Sequence, residues 1–229
     1  MNINENLTDI RQKIRIAVER SGRRVETVKI VAVTKTIPVE NIQEAYQVGQ
    51  KVFGENRVQE WQKKNILLPA DCEWHLIGRL QTNKIKYLDS NVALIHSLDR
   101  FSLLEKLNAE GEKRQIIWKT LIQVNVAKDD AKAGLEVEEV NDFLETVRDY
   151  PYVQVLGLMT IGKFNACPED TRGYFRKLRE IRDALIRKDI RNKEELPHLS
   201  MGMSQDYELA VEEGATIVRI GSSIFGSRN

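Results

Sequence analysis

Apolar residues near the N-terminus recur at steps of three and four. Ile3, Leu7, Ile10, Ile14 and Val18 form one stripe, which predicts an amphipathic helix ended by Gly22. The pattern then changes to short β-branched runs alternating with polar-rimmed helical stretches. Residues 29–34, 51–54, 74–78, 93–97, 120–126, 155–161, 198–201 and 216–221 read as strands. Helical patterns lie between them at 39–48, 56–64, 101–111, 137–147, 168–186 and 204–213. Pro38 and Pro168 suit the first turn of a helix, where a missing N–H is harmless. Such alternation means a parallel sheet with crossover helices, and eight strands predict a closed (β/α)8 TIM barrel with an extra N-terminal helix. A doubly wound open sheet would need its strands split around a switch point, and nothing marks one. No Gly/Ser/Pro linker divides the chain, so residues 1–229 read as a single domain.

Charge and composition then narrow the partners. Lys and Arg total 35 against 34 Asp and Glu, a net charge of +1, so there is no general basic field for nucleic acid or acidic membranes. Cys72 and Cys167 are the two cysteines and lie far apart, which argues against a disulfide scaffold or a thiolate zinc site. The HExxH pattern is absent and no metal is expected. No apolar run approaches the ~20 residues of a membrane helix. The N-terminus lacks the apolar core of a signal peptide. These features predict a cytoplasmic protein, read as a monomer.

Working residues of such barrels sit at the C-terminal ends of strands. Val31, Val33 and Lys35 share one parity, so Lys35 points into the mouth if the valines fill the barrel. A lysine there suits a Schiff base, while a strand-end lysine leaving for solvent is the plainer alternative. The cluster Gly54-Glu55-Asn56-Arg57 could meet a ligand, or Asn56 could cap the following helix. His75 and His96 read as core or rim histidines. Ser200-Met201-Gly202-Met203-Ser204 after the seventh strand and Gly221-Ser222-Ser223 after the eighth are either ordinary turns or the phosphate site usual at this place in the fold. Arg219, inside the eighth strand, needs a partner: a carboxylate such as Glu55, or a ligand nitrogen or phosphate. An amine, an anion cradle and an arginine beside it form the inventory that pyridoxal 5′-phosphate (PLP) requires.

Motifs along nearly the whole chain carry a resemblance. AVTKT (32–36), FGENRVQE (53–60), WHLIGRLQTNK (74–84), IHSLDR (95–100), LIQVNV (121–126), GLMTI (157–161), LSMGMSQD (199–206) and GATIVRIGSSIFG (214–226) resemble the pyridoxal phosphate homeostasis protein family, single-domain relatives of the alanine racemase barrel. The resemblance implies a PLP-binding barrel with the cofactor held as a Schiff base on Lys35. It implies Arg219 facing the pyridine nitrogen, phosphate contacts at Ser200, Gly221 and Ser222, and Asn56 and Met159 lining the ring. Many relatives carry Thr-Ala where this chain has Ser222-Ser223, and the first hydroxyl is retained. Racemases on this barrel add a domain that supplies a second base, for which the sequence up to Asn229 leaves no room. The reading favoured is a PLP carrier that buffers the cofactor and supplies apo-enzymes. A small PLP-dependent racemase or lyase is the alternative, and a barrel for another phosphorylated metabolite the plainest one. In the loop 127–134, Lys128 reads as a solvated charge and Lys132 as a site that captures departing cofactor.

Overall fold

The alternation closes on itself. The computed structural model describes residues 2–23, 28–129, 133–163, 165–188 and 195–226; Lys132 lies outside them. Eight parallel strands, β1 (Lys29–Val33), β2 (Val52–Glu55), β3 (Glu73–Leu76), β4 (Val92–Leu98), β5 (Trp118–Gln123), β6 (Val153–Met159), β7 (His198–Ser200) and β8 (Ile217–Ile220), run in sequence order around a closed barrel. Helices α1 (Ile3–Arg20), α2 (Val39–Gln47), α3 (Val58–Asn65), α4 (Phe101–Arg114), α5 (Val140–Val147), α6 (Pro168–Arg187), α7 (Tyr207–Glu212) and α8 (Ser222–Phe225) surround it. The fold is the TIM barrel with a leading helix that the sequence predicts. The link from β3 to β4 carries a 3₁₀ helix, Thr82–Tyr87, rather than an α-helix.

Strand parity sorts the core into two compartments. Val31, Leu94, Leu121, Met159 and Ile217 fill the lumen, whereas Ala32, Phe53, Trp74 and Ile95 pack outward under the helices. Register puts Arg219 beside Val31 and Ser200 beside both Met159 and Ile217. Because side chains alternate along a strand, Arg219 and Ser200 therefore face inward with these residues.

Local chemistry sets the helix ends. The Asn2 side chain accepts from the Glu5 amide at the start of α1. Pro168 occupies the first position of α6, as the sequence suggests. Pro38 instead stands one place earlier, at the cap of α2, with φ −58°. Helix α1 buries Ile3, Leu7, Ile10, Ile14, Ala17 and Val18 and packs against α2, α7 and α8. The Asn6 amide donates to the Ile224 carbonyl at 2.9 Å, tying this helix to the segment just after β8.

Leu7 is fully buried whereas Ile16 on the same helix is 36% exposed. Leu7→Ala should cost about 2–5 kcal/mol through lost burial and a residual cavity, and Ile16→Ala roughly 0.5 kcal/mol or less. Urea denaturation of both variants measures this. Equal costs would mean that α1 is not docked by this stripe.

Candidate functional site

The turn that carries Lys35 is gripped from one side by β2 and α3. The buried Thr34 hydroxyl donates to Glu55 Oε1 at 2.6 Å. Lys64 Nζ donates to the Thr34 carbonyl and to Glu55 Oε1, each at 2.7 Å. The Glu60 carboxylate accepts from the Thr36 amide at 2.9 Å. Thr36 has φ 63°, a left-handed conformation that is strained for a β-branched residue and needs such anchoring. Lys35 stands half-buried between these two fixed residues. Glu55 is wholly buried, and burial pushes its carboxyl above the ordinary range despite the bonds from Lys64 and Thr34. Sequence reasoning passed over Glu60 and Lys64; their i,i+4 spacing on α3 was the available signal. Asn56 does not cap this helix: Arg57 occupies the cap position, without a side-chain bond.

Arg219, on the strand next to β1, is 5% exposed. Its guanidinium donates to Ser200 Oγ at 2.5 Å and to the Thr160 carbonyl at 2.8 Å. Glu55, which the sequence offered as its partner, is engaged instead by Lys64 and Thr34. Burial lowers the Arg219 pKa to about 10, and Asp206 opposes the shift. The Ser200 hydroxyl is itself fully buried and lies 3.0 Å from His96 Nδ1. It is thus placed to hold Arg219. Met159 is buried beside Ser200 on the neighbouring strand. All three histidines gather in this region: His75 Nδ1 is 2.9 Å from His96 Nε2, and His198 begins β7.

The loops after β7 and β8 are laced together at the rim. Ser204 Oγ accepts from the amides of Gly221 and Ser223 at 3.2 and 3.3 Å, with Ser222 exposed between them. Gly202 has φ 92°, and a Cβ there would stand 2.5 Å from that of Ala210, so the turn requires glycine. A Cβ at Gly221 would meet Val33 at 3.4 Å, so the ends of β8 and β1 lie side by side. Lys35, Met159, Arg219, Gly221 and Ser222 therefore share the C-terminal end of the barrel. Asn56 is exposed and lines a cleft of about 860 Å³ with Arg57, Lys63, Arg79, Lys84 and Arg100. Among the described residues no group of His, Cys, Asp and Glu could hold a metal ion. No helix of the described residues is long and apolar enough to cross a membrane.

Comparison with known proteins places the chain in a family. Residues 6–229 match the family model of the alanine racemase N-terminal domain. The chain is 51% identical over 229 residues to the pyridoxal phosphate homeostasis protein of Aquifex aeolicus, covering 100% of this chain and 99% of the relative. The structure of PipY from Synechococcus elongatus with PLP bound is 34% identical, with a TM-score of 0.84 over 98% of this chain and all (100%) of that one. A protein from Bifidobacterium adolescentis is 31% identical, with a TM-score of 0.92 over 98% and 94% of the two chains.

Two consequences can be measured. Lys64→Met removes the cation from a buried carboxylate, which should cost about 3–5 kcal/mol at pH 8. The cost should shrink toward pH 5, where the orphaned Glu55 takes up a proton; a loss independent of pH would contradict this. The histidines act in the other direction. Burial lowers the pKa of all three below 6.5, to about 4 for His198. The unfolded chain therefore binds protons first as pH falls below 6.5, and His198 alone lowers stability from there toward pH 4 by up to about 1.4 kcal/mol per pH unit. His198→Gln should flatten that slope in urea titrations; an unchanged slope would show that His198 titrates normally in the native state.

Proposed function

Because the chain belongs to the alanine racemase N-terminal domain family, and within it to the pyridoxal phosphate homeostasis proteins, we propose that it binds PLP at the mouth of its barrel and holds it for supply to apo-enzymes. When bound, PLP supplies an aldehyde that takes an amine and a ring that withdraws electrons. Lys35, on its gripped turn, is the amine for covalent attachment. Arg219 faces the ring nitrogen, Met159 and Asn56 flank the ring, and Gly221 with Ser222 receives the phosphate.

The observation that carries this reading is Arg219. A buried guanidinium uses one N–H on Ser200 and one on Thr160, and further donors of its fork remain for an acceptor in the lumen. An unprotonated pyridine nitrogen is such an acceptor. A guanidinium beside it discourages its protonation, by like charge and by donating to the neutral form. The ring is then a weak electron sink, which suits storage of the cofactor better than carbanion chemistry. The rim fits as well: the exposed Ser222 stands between two amides already fixed by Ser204. PLP bound to PipY, a protein 34% identical, supports PLP as the ligand. The reading takes residues 1–229 as one domain acting as a cytoplasmic monomer.

The purified protein mixed with PLP should turn yellow, and borohydride reduction with peptide mapping should place the pyridoxyl group on Lys35. Lys35→Ala should lose the adduct; reproducible labelling of another lysine overturns the assignment. Transfer is read separately, by reactivation of an apo PLP enzyme with and without a trap for free PLP. Turnover of an amino acid at about 1 s⁻¹ or faster would replace the carrier by an enzyme.

A further inference from the structure

TIM-barrel lumens are normally packed with branched apolar side chains. This one holds a continuous polar file instead. At the N-terminal end of the barrel, Glu73 Oε1 lies 2.5 Å from Lys29 Nζ and 2.9 Å from His75 Nε2. His75 Nδ1 meets His96 Nε2 at 2.9 Å, and His96 Nδ1 meets Ser200 Oγ at 3.0 Å. Arg219 closes the file on Ser200 at 2.5 Å. The first members are open to solvent, Lys29 at 38% and Glu73 at 35% side-chain exposure, whereas His75 and His96 are 1% and 0% exposed.

Donor and acceptor counting fixes where each proton sits. His75 and Lys29 hold the Glu73 carboxyl down at about 2, so it accepts only. His75 must then carry its proton on Nε2. A neutral imidazole has one donor and one acceptor, so His75 Nδ1 is bare and takes the Nε2 proton of His96. His96 Nδ1 is bare in turn and takes the Ser200 hydroxyl proton. The Ser200 oxygen is left to accept from Arg219. Every bond thus points the same way, from Arg219 through Ser200, His96 and His75 to Glu73.

We propose that Glu73, His75 and His96 are positioning residues that, through Ser200, orient Arg219 toward the cofactor ring from the opposite end of the barrel. The file joins a buried cation to a distant anion through two neutral rings, and reversing the His96–Ser200 link would leave the buried Ser200 hydroxyl proton without an acceptor in the file. The other charged or titratable groups facing it are His198, whose burial keeps it neutral, and Asp206 on the Arg219 side. The last link rests on the PLP reading, whereas the direction of the relay does not.

The chain has three histidines, so nitrogen NMR of the protein without PLP resolves the relay directly. His75 and His96 should both be neutral at pH 8 with the proton on Nε2, and neither should titrate at the ordinary imidazole pKa. A proton on Nδ1 of either ring, or titration near 6.5, overturns the proposal. Glu73→Gln puts an amide that can accept or donate where the carboxylate only accepts, and should weaken the preference of both rings for the Nε2 proton. On addition of cofactor it should shift the absorption band of bound PLP and raise the dissociation constants of PLP and of pyridoxal alike, about 3–10-fold. A loss confined to PLP, or an unchanged band with altered tautomers, means that the network fills space without acting on the ring. Glu40→Gln on exposed α2 serves as the control, and His96→Gln replaces Glu73→Gln if that variant does not fold. Labelling of Lys35 by borohydride in wild-type protein judges the PLP reading independently.

Discussion

A guanidinium inside a closed barrel governs the arrangement of this protein's interior. Unpaired, it would be expensive to bury. Ser200 and Thr160 take up part of its bonding capacity, and Ser200 must present an oxygen rather than a proton to do so. Its own proton then goes to His96 Nδ1, and the series runs on through His75 to a carboxylate, the acceptor-only group that fixes its direction. A polar lumen satisfied in this way is rigid, because no member can rotate or change protonation without orphaning a neighbour. The remaining lumen space is filled by Val31, Leu94, Leu121, Met159 and Ile217, as in an ordinary barrel.

The mouth obeys a separate constraint. Lys35 follows directly on β1, at a turn whose next residue is held in a left-handed conformation. Three side chains from β2 and α3 stabilise that geometry, with Glu55 and Lys64 forming a buried pair. Such a pair adds little net stability compared with an apolar substitute. What it adds is definition, since Lys64 binds the Thr34 carbonyl and Glu55 the Thr34 hydroxyl, one residue before the lysine.

Most of the barrel was legible in the sequence because β-branched runs and helix stripes report which face is buried. All eight strands fall within a few residues of their expected positions, and parity alone aimed Val31 inward. Partnerships across strands were not legible, since periodicity says nothing about register. Glu55 lies one strand away from Lys35 but belongs to Lys64, and Arg219 belongs to Ser200. His75 and His96 read as satisfied core residues, which is true of each alone. Their joint direction emerges only when β3, β4 and β7 are set side by side. The 3₁₀ segment after β3 escaped because TNKIKY is too short to carry a helical period.

Strand β1 ties the two systems together. Lys29 opens this strand and Lys35 stands in the turn just past its end, so a lysine stands at each end of it. Their fates differ because their neighbours differ. Lys29 meets Glu73 at the N-terminal end and anchors the acceptor of the relay. At the other end, Glu55 accepts from Thr34 and Lys64, and Glu60 accepts from Thr36. These two carboxylates thus hold in place the turn that carries Lys35. One strand therefore gives the barrel an ion pair as its floor and a lysine at its mouth, and the hydrogen-bond file runs through the lumen between these two ends.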